Sequence, residues 1–254
     1  MKPVITIAVP SLNQGVFLEA CLDSLFAQNL PLEVFVADAG STDGTLSIIK
    51  RWAPRLSGWR TGSDAGQSAA INECIARGNA PYVAWLNSDD AYLPGGLQIL
   101  LDMLEIHDQW PAAYGRAWHT DVALKKTSRV WTRPFDEWWF ANGCFISQPA
   151  TLIRRMAWET IGGLDESLHM AMDYDLWWRL YRRFGPPGYV SHDVALNRNH
   201  DRTKTLTRRR DHYWEAMAVV RRHYGRVPIK WWLAWPIAVW GRTWWGSRRS
   251  RKHR

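Results

Sequence analysis

Over its first hundred residues the chain alternates two spacings of hydrophobic positions. ITIAVP (5–10) is a continuous apolar run, whereas VFLEACLDSLFAQ (16–28) sets its apolar residues three and four apart. The same exchange repeats down the chain. LEVFVAD (32–38) predicts a strand and TLSIIKRW (45–52) a helix, and AAINECIARG (69–78) a helix closed by Gly78. PYVAWLN (81–87) predicts a buried strand and GGLQILLDMLEIH (95–107) a further helix. Strands and helices in turn, joined by short links, predict an α/β fold with a mostly parallel sheet covered on both faces. Beyond residue 110 the alternation blurs. AAYGRAW (112–118) and SRVWT (128–132) predict strands of a more antiparallel, mixed region. DYDLWWRLYRRF (173–184) predicts a helix with Leu176, Trp177, Leu180, Tyr181 and Phe184 on one apolar face and Asp173 at its N-terminus.

In sheets of this kind ligands bind beyond the carboxyl ends of the strands. Three strands end there in polar loops: PSLN (10–13), DAGSTDGT (38–45) and NSDD (87–90). Pro10 stops the first ladder and Asn13 is placed to cap the next helix. Asp38 can accept from an N–H of a bound base, while Ser41, Thr42 and Asp43 read as cap and turn residues. In SDAGQSAAIN (63–72), Gly66 permits close backbone approach and Asn72 is expected to face the same cleft. Adjacent Asp89 and Asp90 repel unless something cationic sits between them. A turn or a helix cap explains such a pair, and so does a hard divalent cation shared with a diphosphate.

Charge changes the picture at one end. The net charge is +8, but from Arg198 onward 16 Lys and Arg face three acids, leaving the first 197 residues at −5. Six of the 18 Trp lie between Trp231 and Trp245. The apolar run there is about ten residues, half of the roughly 20 a spanning helix needs, and contains Pro236. Trp beside a polybasic terminus predicts an interfacial anchor on an anionic membrane surface; packing of the Trp residues on the domain is the alternative. Cys21, Cys74 and Cys144 form no CxxC pair, which argues against a disulfide framework or a zinc site. With an N-terminal run too short for a secretory signal, the expected location is cytoplasmic, peripheral on the inner face of the membrane.

Together PSLN, DAGSTDGT, DAGQSAAIN, WLNSDDAYLP, GGLDESL (162–168) and MDYDLWWRL (172–180) resemble the inverting family 2 glycosyltransferases, over about residues 5–205. The resemblance implies a GT-A, Rossmann-like sheet with a nucleotide-binding half (about 1–110), an acceptor-binding half (about 111–205) and a helical tail over 206–254. It implies Asp173 as catalytic base and Asp38 as reader of the uracil or thymine ring. Pro10, Leu12, Asn13, Asp64, Gly66, Asn87 and Ser88 would complete the nucleotide site. Mn2+ or Mg2+ would sit on Asp89 and His200, Lys204 on the diphosphate, and Gln148 and Met172 near acceptor or sugar. Two positions depart from the family pattern: Asn87 replaces the first Asp of a DXD signature, and Met172 stands where many members carry Glu. At a helix N-terminus Asp173 is expected to be an acidic, weak base. The implied reaction moves a sugar from a UDP- or dTDP-sugar to a saccharide or lipid-linked acceptor. A nucleotidylyltransferase would want a Gly-rich loop that PSLNQG is not. A membrane- or nucleic-acid-binding protein built on the basic tail leaves Asp38, Asp89 and Asp173 unexplained, and acidic loops repel nucleic acid.

Overall fold

The computed structural model of the chain describes residues 2–201 and 203–236. Among the described residues nine strands form one sheet: β1 (Ile5–Ser11), β2 (Leu32–Asp38), β3 (Gly58–Thr61), β4 (Tyr82–Trp85), β5 (Ala91–Tyr92), β6 (Ala112–Thr120), β7 (Lys126–Arg129), β8 (Thr151–Arg154) and β9 (Gly188–Arg198). Their order is β3-β2-β1-β4-β8-β6-β9-β5, with β7 paired to β6. The β3-β2-β1-β4 half is wholly parallel, whereas β8 runs antiparallel to both β4 and β6. The helices are α1 (Leu18–Phe26), α2 (Thr45–Trp52), α3 (Gln67–Arg77), α4 (Gly96–Ile106), α5 (Glu137–Ala141), α6 (Arg155–Thr160), α7 (Met172–Phe184), α8 (Lys204–Thr207), α9 (Arg209–Tyr224) and α10 (Ile229–Pro236).

The central strands are buried on both faces, and their side chains alternate between two cores as a period of two requires. Ile5, Ile7, Val9, Val34 and Val36 pack under α1, α2 and α4. Ala8, Phe35, Ala37, Val83 and Trp85 point the other way, toward residues of α3, α6 and α7. Both cores draw on residues from either side of position 110, so the two expected halves share one sheet and are not separable units.

The boundary expected at 205/206 also shifts. Ala216, Met217, Val219 and Val220 of α9 and Trp231 of α10 are buried in the larger core. Trp231 donates from its indole N–H to the Ala141 carbonyl at 2.8 Å. Residues 209–236 are therefore part of the domain, not an appendage. The apolar positions of α9 are interrupted by Arg, His and Glu, which hid its buried side in the sequence. Trp240, Trp244, Trp245 and the basic terminus lie outside the described residues. No helix among the described residues is long and apolar enough to cross a membrane.

Candidate active site

The carboxyl ends of β1, β2 and β4 open onto a cleft of about 730 Å³, within the size range of small-molecule sites. Pro10, Leu12, Asp64, Gly66, Asn87, Ser88, Asp89, Gln148, Met172, Asp173 and Lys204 all line it. Asn13, Asp38 and His200 do not. Asp38 is wholly buried, and its two oxygens accept from the Gly40 and Ser41 N–H groups, from the Ser41 hydroxyl and from the Thr61 hydroxyl at 2.5 Å. Its acceptor capacity goes to holding its own loop. Asn13 does not cap α1, whose N-cap is Phe17. With φ at +53° it accepts from the Thr42 N–H at 2.9 Å and donates its own N–H to the Ser41 hydroxyl at 2.7 Å. The first two loops are thus braced against each other, and Leu12 and Gln14 face the cleft between them.

Asn72 likewise turns away from the cleft. Its amide accepts from the Leu164 N–H and donates to the Leu164 carbonyl and the Glu166 carboxylate, each at 2.9 Å. That clamp explains the second glycine of the pair: Gly163 has φ +67°, and a Cβ there would lie 2.6 Å from Asn72 Oδ1. Gly66, at φ +116°, opens α3 and gives its N–H to Asp64 at 3.0 Å.

The cleft floor is a chain of side-chain amides. Lys204 Nζ donates to Gln67 Oε1 at 3.3 Å and Gln67 Nε2 to Asn87 Oδ1 at 2.8 Å. Asn87 Nδ2 donates to both Gln148 Oε1 (3.3 Å) and Asp90 Oδ2 (3.4 Å), and Gln148 Nε2 closes on the Trp85 carbonyl at 2.7 Å. An Asp at 87 accepts only, so it could not serve Gln148 and Asp90 together. The departure from DXD follows from this network.

The adjacent carboxylates are kept apart by what surrounds them. Asp90 is buried and accepts the Arg198 N–H at 2.9 Å; burial first, then the Asp89 charge, push its pKa well above the usual carboxylate range. Arg198 donates from Nε to the Asp89 carbonyl at 2.7 Å and lays its guanidinium over Phe17, 4.6 Å from the ring centre. Asp89 instead directs its carboxylate to His200, Oδ2 to Nε2 at 3.0 Å.

Asp89 and His200 offer one oxygen and one nitrogen donor, and no group of three or more His, Cys, Asp or Glu among the described residues forms a closed metal site. A hard cation that keeps several positions for phosphate and water needs few protein ligands, so this pair fits such an ion.

Asp173 lies in the first turn of α7, one residue past Met172, and accepts the Tyr174 N–H at 2.8 Å. The expected acidic character is reversed: burial raises its pKa to about 6, with the Glu215 charge adding to the rise and backbone hydrogen bonds opposing it. Burial outweighs the helix terminus. Met172 is buried, and its sulfur accepts from the Ser68 hydroxyl at 2.9 Å. The sequence reading missed Gln67, His169, Arg198 and His212, which also line the cleft. Only the apolar pattern around them was readable, and the polar contacts arise from strands and helices that meet in space.

Two solved structures share this architecture. S. aureus TarS in complex with UDP-GlcNAc matches at TM-score 0.69 over 88% of this chain and 66% of that one, at 17% identity. The mannosyltransferase PcManGT from Pyrobaculum calidifontis, in complex with GDP-Man and Mn2+, matches at 0.68 over 91% and 67%, at 21% identity. The fold is that of the GT-A glycosyltransferases. At the level of sequence, the model of glycosyl transferase family 2 matches residues 6–162. A PGL/p-HBAD biosynthesis glycosyltransferase of Mycobacterium bovis is 30% identical over 179 residues, 68% of each chain. The chain belongs to glycosyl transferase family 2. It spans about two thirds of the length of these three relatives.

Proposed function

We propose that the protein is a metal-dependent, inverting glycosyltransferase that moves a sugar from a UDP- or dTDP-sugar to a saccharide or lipid-linked saccharide acceptor, in cell-surface polysaccharide or glycolipid assembly. The observation that carries the reading is one cleft lined at one place by Asp89, which His200 meets from behind, and at another by Asp173, whose carboxyl has a pKa of about 6. Inversion needs a single displacement, in which a carboxylate accepts the acceptor hydroxyl proton as the nucleoside diphosphate leaves. A base with a pKa of about 6 is ionised at pH 7 and stronger than an ordinary Asp. A divalent cation held by Asp89 and His200 would neutralise charge on the departing diphosphate. Of the two expected ions Mn2+ suits the pair better, because imidazole is a poor ligand for Mg2+. Lys204, whose pKa is lowered by burial and by Arg208, adds a cation on the same wall. Pro10, Leu12, Gly66 and Ser88 would receive the nucleoside, and Gln148 and Met172 would border the sugar or acceptor. Because Asp38 is saturated by its own loop, it would act on the base through the position of that loop.

The relatives support a nucleotide-sugar donor without choosing its base: TarS was solved with UDP-GlcNAc and PcManGT with GDP-Man and Mn2+. The test is nucleoside diphosphate release from a panel of UDP-, dTDP- and GDP-sugars with Mn2+, followed by the anomeric configuration of the product. Release from one donor with inversion supports the reading; retention, or no release from any donor with acceptor present, overturns it.

Location at an anionic membrane is the second part of the proposal. Ile229, Trp232 and Leu233 of α10 and Trp214 of α9 are exposed, and the chain after Arg198 is strongly basic. Trp131, Trp138 and Trp139, packed edge to face on one another, are also exposed. Amphipathic rings with nearby cations suit the headgroup region.

A further inference from the structure

The Glu215 side chain of helix α9 holds the segment that leads into α7. Glu215 Oε1 accepts the His169 N–H at 2.9 Å, and Oε2 accepts the N–H groups of Met170 and of Ala171, the latter at 2.6 Å. Ala171 is the N-cap of α7, and Asp173 is the second residue of that helix. Three consecutive N–H groups leading into the helix, the last of them that of its N-cap, are thus gathered by one carboxylate. A second grip lies one turn on: His223 Nε2 meets Asp175 Oδ1 at 2.7 Å, and Arg222 reaches the same oxygen at 3.4 Å.

We propose that Glu215 is a positioning residue for Asp173, fixing the backbone of 169–171 and thereby the point from which the carboxylate meets the acceptor hydroxyl. This rests on Asp173 as the base. A carboxylate on the N-terminal amides also offsets the positive end of the helix, so Asp173 loses the acidifying effect its place would give it. That adds to burial, the main cause of the raised pKa of Asp173. Other ionisable groups border it: Cys144, whose thiol is raised by burial and then by the Asp173 charge, Tyr174 on its own helix, and His169, His212 and Lys204 along the cleft wall. His212 is held neutral by burial, its pKa lowered, so Glu215 is the charge from α9 that acts on Asp173.

The test compares E215A, E215Q and D173N with the whole chain, using Mn2+ and the donor found in the release assay. Carboxyl carbon NMR of aspartate-labelled protein follows Asp173, its signal identified by its loss in D173N. Expected are a kcat at least tenfold lower in E215A with donor KM within twofold, partial rescue in E215Q, and an Asp173 midpoint shifted to lower pH in E215Q. A structural brace alone would lower melting temperature without moving that midpoint. Unchanged kcat in folded E215A, or an unmoved midpoint in E215Q, overturns the proposal; should E215A not fold, the E215Q titration decides. If D173N keeps full activity, the base assignment fails and this inference with it. A dead D173N beside a normal E215A removes the inference alone.

Discussion

Replacing Asp173 by Asn should remove activity and, at the same time, make the protein more stable at alkaline pH. In the folded chain this carboxyl titrates near 6, against 3.8 for an unperturbed aspartate. A group whose pKa is raised by folding holds its proton more tightly in the native state. Its contribution to stability is complete below about pH 4 and is lost as pH rises through 6. The full shift corresponds to roughly 3 kcal/mol at 1.36 kcal/mol per unit. Solvent reaching the carboxylate reduces this to about 1–2 kcal/mol. Asn does not titrate, and its amide oxygen can still accept the Tyr174 N–H. The variant should therefore gain about 1–2 kcal/mol on wild type between pH 4 and pH 8, a melting shift of roughly 3–6 °C. Urea unfolding of both proteins across that range measures the difference directly, whatever the constant effect of the substitution. Sugar transfer should fall by roughly 10²–10⁴-fold, the usual contribution of a general base. A stability difference that does not change with pH, or one that favours wild type more as pH rises, would refute the reasoning.

The same titration predicts that wild-type kcat/KM falls about tenfold per pH unit below 6; a plateau extending to pH 4.5 contradicts it. Asn87→Asp removes the amide that serves Gln148 and Asp90 and adds a third carboxylate, so it should cost about 1–3 kcal/mol in metal-free urea unfolding. Asn72→Ala should lose a similar amount and speed amide exchange of residues 162–168, because its three bonds hold that turn; unchanged exchange would sink the clamp. Wild type should co-sediment with vesicles of phosphatidylcholine and phosphatidylglycerol. Removal of 237–254, which keeps the core residue Trp231, should weaken this, and unchanged sedimentation would refute the anchor.

The alternating first half of the chain was legible where its strands are continuous apolar runs, as in β1, β2 and β4, and its helices keep a three-to-four spacing; β3 (GWRT) and the two-residue β5 carry no such run and were missed. LEVFVAD and TLSIIKRW coincide with β2 and α2 to the residue. After residue 110 the strands β8 and β9 were missed, since GYVSHDVALNR mixes buried and exposed positions without a regular period. At the site, motif positions located the loops but not the direction of each side chain. Asp38, Asn13 and Asn72 look like ligand-binding groups in one dimension, yet each meets the hydrogen-bonding demands of a neighbouring loop. The pKa of Asp173 was misjudged because helix position is local and readable, whereas burial arises only in the assembled fold and Glu215 lies on α9, 42 residues further on. Trp231 shows the reverse case: it read as part of an anchor and packs in the core.

The most direct test of a metal-dependent nucleotide-sugar site is thermal shift with UDP-, dTDP- and GDP-sugars, each with and without Mn2+, on wild type and Asp89→Ala. The account predicts stabilisation by one donor that requires Mn2+ and disappears in the variant. Stabilisation that persists without the metal or in Asp89→Ala, or no response to any donor, would contradict it.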